Sequence, residues 1–121
     1  MHERSLVRSL LNQIEEIAEE HRASQVTSVS VEIGPLSGVE AECVRLAYEE
    51  LREGTCCEQA ILLIEPSGLV IRCRECTRES QLASFLFRCE SCGSGKVQVI
   101  SGDAFRLLSI TIKEPAEPSH V

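Results

Sequence analysis

The sequence lacks several features that mark common classes of protein. No apolar run approaches the length needed to span a bilayer, and the amino terminus has no signal-peptide pattern. Basic residues are outnumbered 12 to 19 by acidic ones, which gives a net charge of −7. Only three histidines are present to build an open catalytic metal site, and the zinc-deaminase pattern H-x-E…P-C-x-x-C is absent. These absences predict a cytoplasmic protein that is not an enzyme and binds neither membranes nor nucleic acid.

Four of the seven cysteines form two C-x2-C pairs separated by twelve residues: Cys73, Cys76, Cys89 and Cys92. Two such turns can aim four thiolates at one point, which predicts a structural zinc site with a closed tetrahedral shell. Two disulfides, or iron in a rubredoxin-like site, are the alternatives. Gly93 after the second pair allows the positive φ that such a turn often needs, whereas Thr77 after the first does not.

The charge is distributed unevenly along the chain. Residues 69–100 carry five basic and three acidic side chains, a formal charge of +2. Because the whole chain has a net charge of −7, the remaining residues carry −9. Zinc bound by four thiolates adds −2, so the loaded segment is close to neutral. A nucleic-acid-binding ribbon requires a basic face to displace counterions. This balance argues against that class.

Apolar spacing predicts two helices. A first helix is expected over residues 3–22. Its inward stripe comprises Leu6, Leu10, Ile14 and Ile17, with Val7, Leu11 and Ala18 beside them. Ser37 and Glu40 have the spacing of a capping box ahead of a second helix that stops at Gly54. Its expected inward residues are Val39, Cys43, Leu46, Ala47 and Leu51.

Three segments are predicted to be strands. Residues 28–33 alternate apolar and polar side chains, as in a half-buried strand. The nearly continuous apolar run 60–64 predicts an interior strand, and residues 105–112 predict a third strand in the same sheet. The tail from Glu114 is expected to be frayed.

Together the segments predict an α+β fold, with two helices on a small three-stranded mixed sheet and an inserted four-cysteine zinc-ribbon domain. The expected domains are a lobe of residues 1–68 completed by 102–121, and a ribbon of residues 69–101.

The amino terminus offers a second set of metal donors. The terminal amine of Met1, the deprotonated amide nitrogen of His2 and His2 Nδ1 can form two fused chelate rings around one ion. Three nitrogens in a plane suit Ni²⁺ or Cu²⁺. A fourth ligand can come from Glu3, through its backbone or its carboxylate. The alternative is an ordinary exposed histidine, because every chain that begins Met-His has these donors.

The remaining histidines and cysteines have simpler interpretations. His21 lies near the carboxyl end of the first helix, where it can interact with the helix dipole, and His120 lies in the tail. Adjacent Cys56 and Cys57 can form a redox or soft-metal pair, but free thiols are the favoured interpretation. Cys43 is assigned no role.

Read together, the motifs resemble those of the HypA/HybF family of hydrogenase maturation proteins over nearly the whole chain. The resemblance rests on Met-His-Glu-x-x-Leu opening a helix, on Val-x-Val-x-Ile-Gly-x-Leu-Ser ending at Ser37, and on Gly54-Thr55 before a strand. It extends through both C-x2-C pairs, Cys-Gly-Ser at 92–94 and Ser-Gly-Asp at 101–103. It implies nickel delivery for nickel–iron hydrogenase, with a GTPase accessory protein and the hydrogenase large subunit or its assembly complex as partners.

The resemblance also implies roles for particular residues. Met1, His2 and Glu3 match the family's nickel-binding start, with Ni²⁺ as exchangeable cargo. The four ribbon cysteines match its ligands for a structural Zn²⁺. Glu90 departs from the family, which often has proline there. The competing functions are a zinc-ribbon module that binds nucleic acid or protein, and a metal-dependent enzyme.

Overall fold

The computed structural model describes residues 2–82 and 87–113, and these form two helices and six strands. In chain order they are α1 (His2–Glu20), β1 (Val26–Ile33), α2 (Ala41–Leu51), β2 (Ile61–Pro66), β3 (Leu69–Cys73), β4 (Glu79–Leu82), β5 (Val97–Ser101) and β6 (Phe105–Ile112). Strands β1, β2 and β6 form one three-stranded sheet, and β3, β4 and β5 form another. The second sheet lies within the predicted ribbon, where the sequence analysis placed no strands.

Helix α1 is close to its predicted extent. Its buried face comprises Glu3, Val7, Leu10, Leu11, Ile14 and Ala18. Leu6 and Ile17 lie at the edge of this face and are half-buried. The helix ends because Arg22 adopts a φ of 54°, a left-handed conformation that cannot continue a helix. The N–H of Ala23 then donates to the carbonyl oxygen of Ala18 (2.8 Å), as in a Schellman motif.

The first sheet is mixed, as predicted, with β1 between β2 and β6. On the β2 side, the hydrogen-bonded residue pairs follow each other in the same order along both segments, so β1 and β2 are parallel. On the β6 side, the pairs follow each other in opposite orders, so β1 and β6 are antiparallel. The bonds are Val26–Cys56 and Ser67–Ile33 on the β2 side, and Lys113–Gln25 and Gly34–Ala104 on the β6 side. The prediction that residues 105–112 return to this sheet is confirmed.

The prediction of an interior strand at 60–64 is wrong. Strand β2 is an edge strand of the sheet. Ile61 and Leu63 are 64% and 50% exposed, whereas Leu62 between them is buried. An apolar run on both faces is typical of a strand covered on both sides, but here alternate residues face solvent.

The predicted capping box is also wrong. Helix α2 begins after Glu40, which is its N-cap and makes no side-chain capping bond. The hydroxyl of Ser37 instead donates to the carbonyl oxygen of Gly34 (2.7 Å) and accepts from the N–H of Val39 (3.2 Å). The S-x-x-E spacing is present, but Ser37 stabilises a turn before the helix rather than the helix itself.

The inward face of α2 is rotated from the predicted one. Val44, Ala47 and Tyr48 are buried, whereas the predicted inward residue Leu46 is 65% exposed. The Tyr48 hydroxyl donates to the carbonyl oxygen of Ala60 (2.8 Å). This bond satisfies a polar group whose ring lies in the core. The sequence analysis missed this tyrosine because the apolar stripe that it chose runs through Cys43 and Leu46 instead.

The second sheet has β3 at its centre, antiparallel to β4 and to β5. Ile71 pairs with Ser80 on one side and Val99 on the other. It is fully buried, and Leu69 is 4% exposed. This sheet carries Cys73 at the end of its central strand.

The chain forms two compact units. One comprises Met1–Val31, Glu40–Ile64 and Leu107–Val121, and the other comprises Glu32–Val39 and Glu65–Arg106. The predicted domain boundaries at 69 and 101 remain a prediction, because compactness alone does not show which segment folds by itself. The predicted frayed tail and His120 lie outside the described residues. Neither α1 nor α2 is long and apolar enough to cross a membrane.

Candidate metal centres

The first C-x2-C turn continues directly from β3. The N–H of Cys73 donates to the carbonyl oxygen of Arg78 (2.9 Å), and the N–H of Thr77 donates to that of Cys73 (3.0 Å). The N–H groups of Glu75 and Cys76 both donate to the Sγ atom of Cys73, each at 3.4 Å. The backbone therefore wraps around this sulfur.

The second turn repeats the first. The N–H of Cys89 donates to the carbonyl oxygen of Ser94 (2.9 Å), and the N–H of Gly93 donates to that of Cys89 (2.9 Å). Both bonds have the same spacing as in the first turn. Two unconnected segments thus fold into the same local structure.

One expectation about these turns is wrong. Gly93 has the expected positive φ, 74°, but Thr77 has a φ of 65° as well. A β-branched residue in this region is strained. The hydrogen-bond pattern around Cys73 requires the conformation, and it overrides the preference of the threonine.

Pairing of β3 with β5 brings the second turn to the first. Cys73 pairs with Val97 at the end of the ladder, and the N–H of Arg74 donates to the carbonyl oxygen of Lys96 (2.8 Å). Strand β5 begins just after the second turn, so this pairing fixes where that turn lies.

The four predicted zinc ligands lie together. The Sγ atoms of Cys73, Cys76, Cys89 and Cys92 are all within 4.8 Å of one another. Cys73 and Cys92 are separated by 3.6 Å between sulfurs, and Cys76 and Cys89 by 3.4 Å. Four sulfurs at about 2.3 Å from a tetrahedral zinc are about 3.8 Å apart. The cluster therefore fits a zinc site, and its four cysteines are free rather than joined in disulfides.

Backbone donors favour the thiolate form of the first cysteine in each turn. The N–H of Cys76, with a smaller effect from that of Glu75, lowers the pKa of Cys73. The N–H of Cys92 lowers the pKa of Cys89 to about 6. Because the thiolate is the form that ligates metal, these bonds prepare both sulfurs to bind.

The predicted nickel site lies at the start of α1. His2 is the first residue of the helix, its side chain is 59% exposed, and its Nδ1 atom is 3.4 Å from Glu3 Oε1. The first N–H groups of a helix have no acceptor within it, so the backbone amides of His2 and Glu3 are free for other partners. Met1 lies outside the described residues. The nickel ligands therefore remain a prediction.

Glu3 is placed differently from what the sequence suggested. Its side chain is only 10% exposed, and its Oε2 atom accepts a hydrogen bond from the N–H of Glu40 (3.4 Å). The sequence analysis did not connect these residues, because they are 37 positions apart and no local pattern relates them.

The other three cysteines are free thiols. Burial, followed by the neighbouring Cys57, raises the pKa of Cys56 to about 12, and burial also raises the pKa of Cys57. For Cys43, burial and then the carboxylate of Glu40 raise the pKa. Protonated thiols are poor nucleophiles and poor metal ligands. The environment of Cys56 and Cys57 thus disfavours a redox or soft-metal pair.

The chain matches a known family along nearly all its length. The model of the HypA family, described as hydrogenase/urease nickel incorporation, metallochaperone, matches residues 1–112. The chain belongs to the HypA family. The resemblance inferred from the motifs is therefore confirmed.

Similar HypA proteins cover almost the whole chain. The hydrogenase maturation factor HypA of Aquifex aeolicus is 42% identical over 93% of this chain and 98% of the relative. The factor of the same name from Nitrosospira multiformis is 39% identical over 93% of this chain and 97% of the relative.

Solved HypA structures have the same fold. The solution structure of the nickel metallochaperone HypA from Helicobacter pylori is similar, with a TM-score of 0.73 and 30% identity over 93% of this chain and 98% of that one. A second solution structure of a HypA protein gives a TM-score of 0.76 and 32% identity over 95% of this chain and 98% of that one. The predicted fold class is confirmed.

Proposed function

We propose that the chain is a nickel metallochaperone that binds Ni²⁺ at its free amino terminus and delivers it for maturation of nickel–iron hydrogenase. In this proposal Met1, His2 and Glu3 supply the nickel ligands. A zinc ion held by Cys73, Cys76, Cys89 and Cys92 stabilises the ribbon. The chain transfers metal without catalysing a reaction, so it is not an enzyme.

The observation that carries the nickel proposal is the position of His2. Its imidazole is exposed at the first residue of α1, and the adjacent backbone amides need no helical acceptor. A chelate through the terminal amine, an amide nitrogen and Nδ1 can therefore form without unfolding a hydrogen-bonded turn. Three nitrogen donors in a plane suit Ni²⁺.

The two metals have different roles because their sites differ in openness. Four sulfurs fill a tetrahedral zinc shell and leave no position for a substrate, so zinc supplies structure. The terminal donors are few and exposed, and they compete with protons for the metal. Nickel bound there can be released to a partner.

The partners proposed are the GTPase accessory protein of hydrogenase maturation and the hydrogenase large subunit or its assembly complex. The relatives are named as hydrogenase maturation factors, which supports this choice. A cytoplasmic location belongs to the same proposal. Nucleic acid is not expected as a partner, since two basic side chains of the ribbon are already in ion pairs, Arg72 with Glu79 and Lys96 with Glu75.

X-ray absorption on untagged protein loaded with both metals tests the proposal. Nickel should show nitrogen and oxygen neighbours, and zinc should show sulfur alone. Metal analysis of His2→Ala should find zinc retained and nickel lost. A dominant nickel–sulfur shell would transfer the cargo site to the cysteines and overturn the assignment.

A further inference from the structure

The first sheet has one face in the core and one face that is open to solvent. On β1, Val29 and Val31 are fully buried, so Ser30 between them lies on the opposite face. On β2, Ile61 and Leu63 are 64% and 50% exposed and alternate with a buried residue. Their side chains therefore lie on the same solvent-facing side as Ser30.

Strand β6 contributes a third apolar side chain to this side. Glu32 and Arg106 form an ion pair, as residues opposite each other on one face of an antiparallel pair do. Two residues further along, Ser30 and Leu108 are opposite each other on the same face, and Leu108 is 41% exposed. We call this surface the outer face, and its residues are Ser28, Ser30, Ile61, Leu63 and Leu108.

The outer face has the shape of a shallow groove. Its two serines have small side chains and lie on the central strand, whereas its larger apolar side chains lie on the two flanking strands. Neighbouring strands are about 4.8 Å apart, so the flanking strands are about 10 Å apart, which is close to the diameter of an α-helix with its side chains. A helix therefore fits along the groove.

The apolar run in β2 indicates that the outer face is covered when the protein acts. Residues 60–64 are apolar on both faces, a pattern typical of a strand with a layer on each side. Within the described part of the chain, only the side of β2 that carries Leu62 is buried. Neighbouring exposed apolar side chains mark surfaces that bind another protein. A helix on the outer face supplies the second layer.

We propose that the outer face is the docking site for an amphipathic helix of a partner protein, whose apolar side packs on Ile61, Leu63 and Leu108 and whose flanks are basic. Three strands of six residues span about 14 by 20 Å. This area of about 280 Å² is well below the roughly 800 Å² that each partner buries in a standard stable interface. The outer face therefore suits a single helix better than a second copy of the chain.

The charge of the chain also favours this partner. The net charge is −7, and the residues outside 69–100 carry −9. A second copy brings the same negative charge and is repelled, whereas a helix with basic flanks is attracted. The ion pair of Glu32 with Arg106 leaves no net charge on that part of the sheet.

Titration of the full-length, methyl-labelled protein with a synthetic peptide tests the proposal. The peptide has about 14 residues, enough for a helix of about 20 Å, with leucine on one face and lysine on the other. It should bind one per chain and gain helicity, and the methyl signals of Ile61, Leu63 and Leu108 should shift. A peptide with glutamate in place of lysine should bind at least about tenfold more weakly. No nickel is needed, so the result does not depend on the function proposed above.

A pair of matched variants locates the binding surface. Leu63→Gln should weaken binding of the lysine peptide at least about tenfold, because it removes an apolar contact at the centre of the docking site. Leu46→Gln makes the same change at a leucine that is 65% exposed on α2, and its affinity should equal that of the parent. Equal losses in the two variants, or no binding at about 1 mM peptide, would overturn the proposal.

The other possible occupants of the outer face give different results. Concentration-dependent dimerisation that shifts the same methyl signals would assign the face to a second copy. The same shifts on removal of residues 114–121, without peptide, would assign it to the tail. Peptide that binds without gaining helicity and shifts only the amides of β2 would indicate strand addition at the sheet edge. Each of these three results would overturn the proposal.

Discussion

The four-cysteine cluster and the start of α1 differ in how their donor atoms are held. Every sulfur of the cluster comes from a side chain on a turn, and each turn is fixed by the same pair of backbone bonds. Among the donors proposed at the terminus, the amine of Met1 and the amide of His2 are backbone groups, and the side chain of His2 is 59% exposed. A metal enclosed by folded turns is held for structure, whereas one bound at an exposed chain end can be exchanged.

Removing a cysteine ligand should have the largest effect. Cys73→Ala should abolish stoichiometric zinc binding and destabilise residues 69–101, because metal binding contributes roughly 10 kcal/mol to the folding of comparable zinc sites. Helix α1 should persist, since its apolar face is buried independently of the ribbon cysteines. Zinc analysis measures the metal content, and hydrogen exchange measures the stability of residues 69–101 and of α1. The matched control is Cys43→Ala, and full zinc occupancy in Cys73→Ala would contradict the ligand assignment.

Extending the amino terminus should have the next largest effect, and only on nickel. Histidine-free residues placed before Met1 convert its amine to an amide, so the chelate loses a nitrogen and nickel binding should weaken at least about 100-fold. Zinc content should not change. Isothermal titration against the free-ended chain is the measurement. Equally tight nickel binding by the extended chain would refute the terminal chelate.

A smaller effect is expected from Gly93→Ala in the second turn. Gly93 has a φ of 74°, and no heavy atom lies within 4 Å of the place that an alanine Cβ would take, so the cost comes from backbone conformation alone, about 1 kcal/mol. Because ribbon folding is coupled to metal, zinc affinity measured by chelator competition should fall about fivefold. Gly95→Ala is the control, since its surroundings are equally open and its φ is not in the positive region. Equal zinc affinities for the two variants would show that the turn is not strained.

The smallest effect is expected from Thr77→Asn in the first turn. Asparagine tolerates a positive φ better than a β-branched residue, so zinc affinity should rise by an amount equivalent to about 0.5 kcal/mol. Thr77→Val keeps the branching and removes the hydroxyl, which donates to the carbonyl oxygen of Cys76 (2.6 Å). The zinc affinity of Thr77→Val therefore measures the contribution of this hydrogen bond separately from that of the backbone strain. A decrease for Thr77→Asn as large as that for Thr77→Val would show that the bond outweighs the strain.

Local patterns predicted some elements of the fold and misplaced others. Helix α1 and strand β1 were predicted because their periodicity extends over several turns or alternations. The face of α2 was misplaced because the apolar stripe chosen for it runs through Leu46, whereas the buried face contains Val44 and Tyr48. Strand β2 was taken as interior because its apolar run does not reveal whether the second face is covered.

The sequence by itself determined the family and the four clustered cysteines, since a C-x2-C turn is local and its ligand chemistry follows from residue type and spacing. Only the tertiary structure decided that pairing of β3 with β5 brings Arg74 to Lys96. Only it placed the carboxylate of Glu3 on the amino end of α2. These features depend on contacts between residues far apart in the chain, and the free energy of such contacts is not contained in any local pattern.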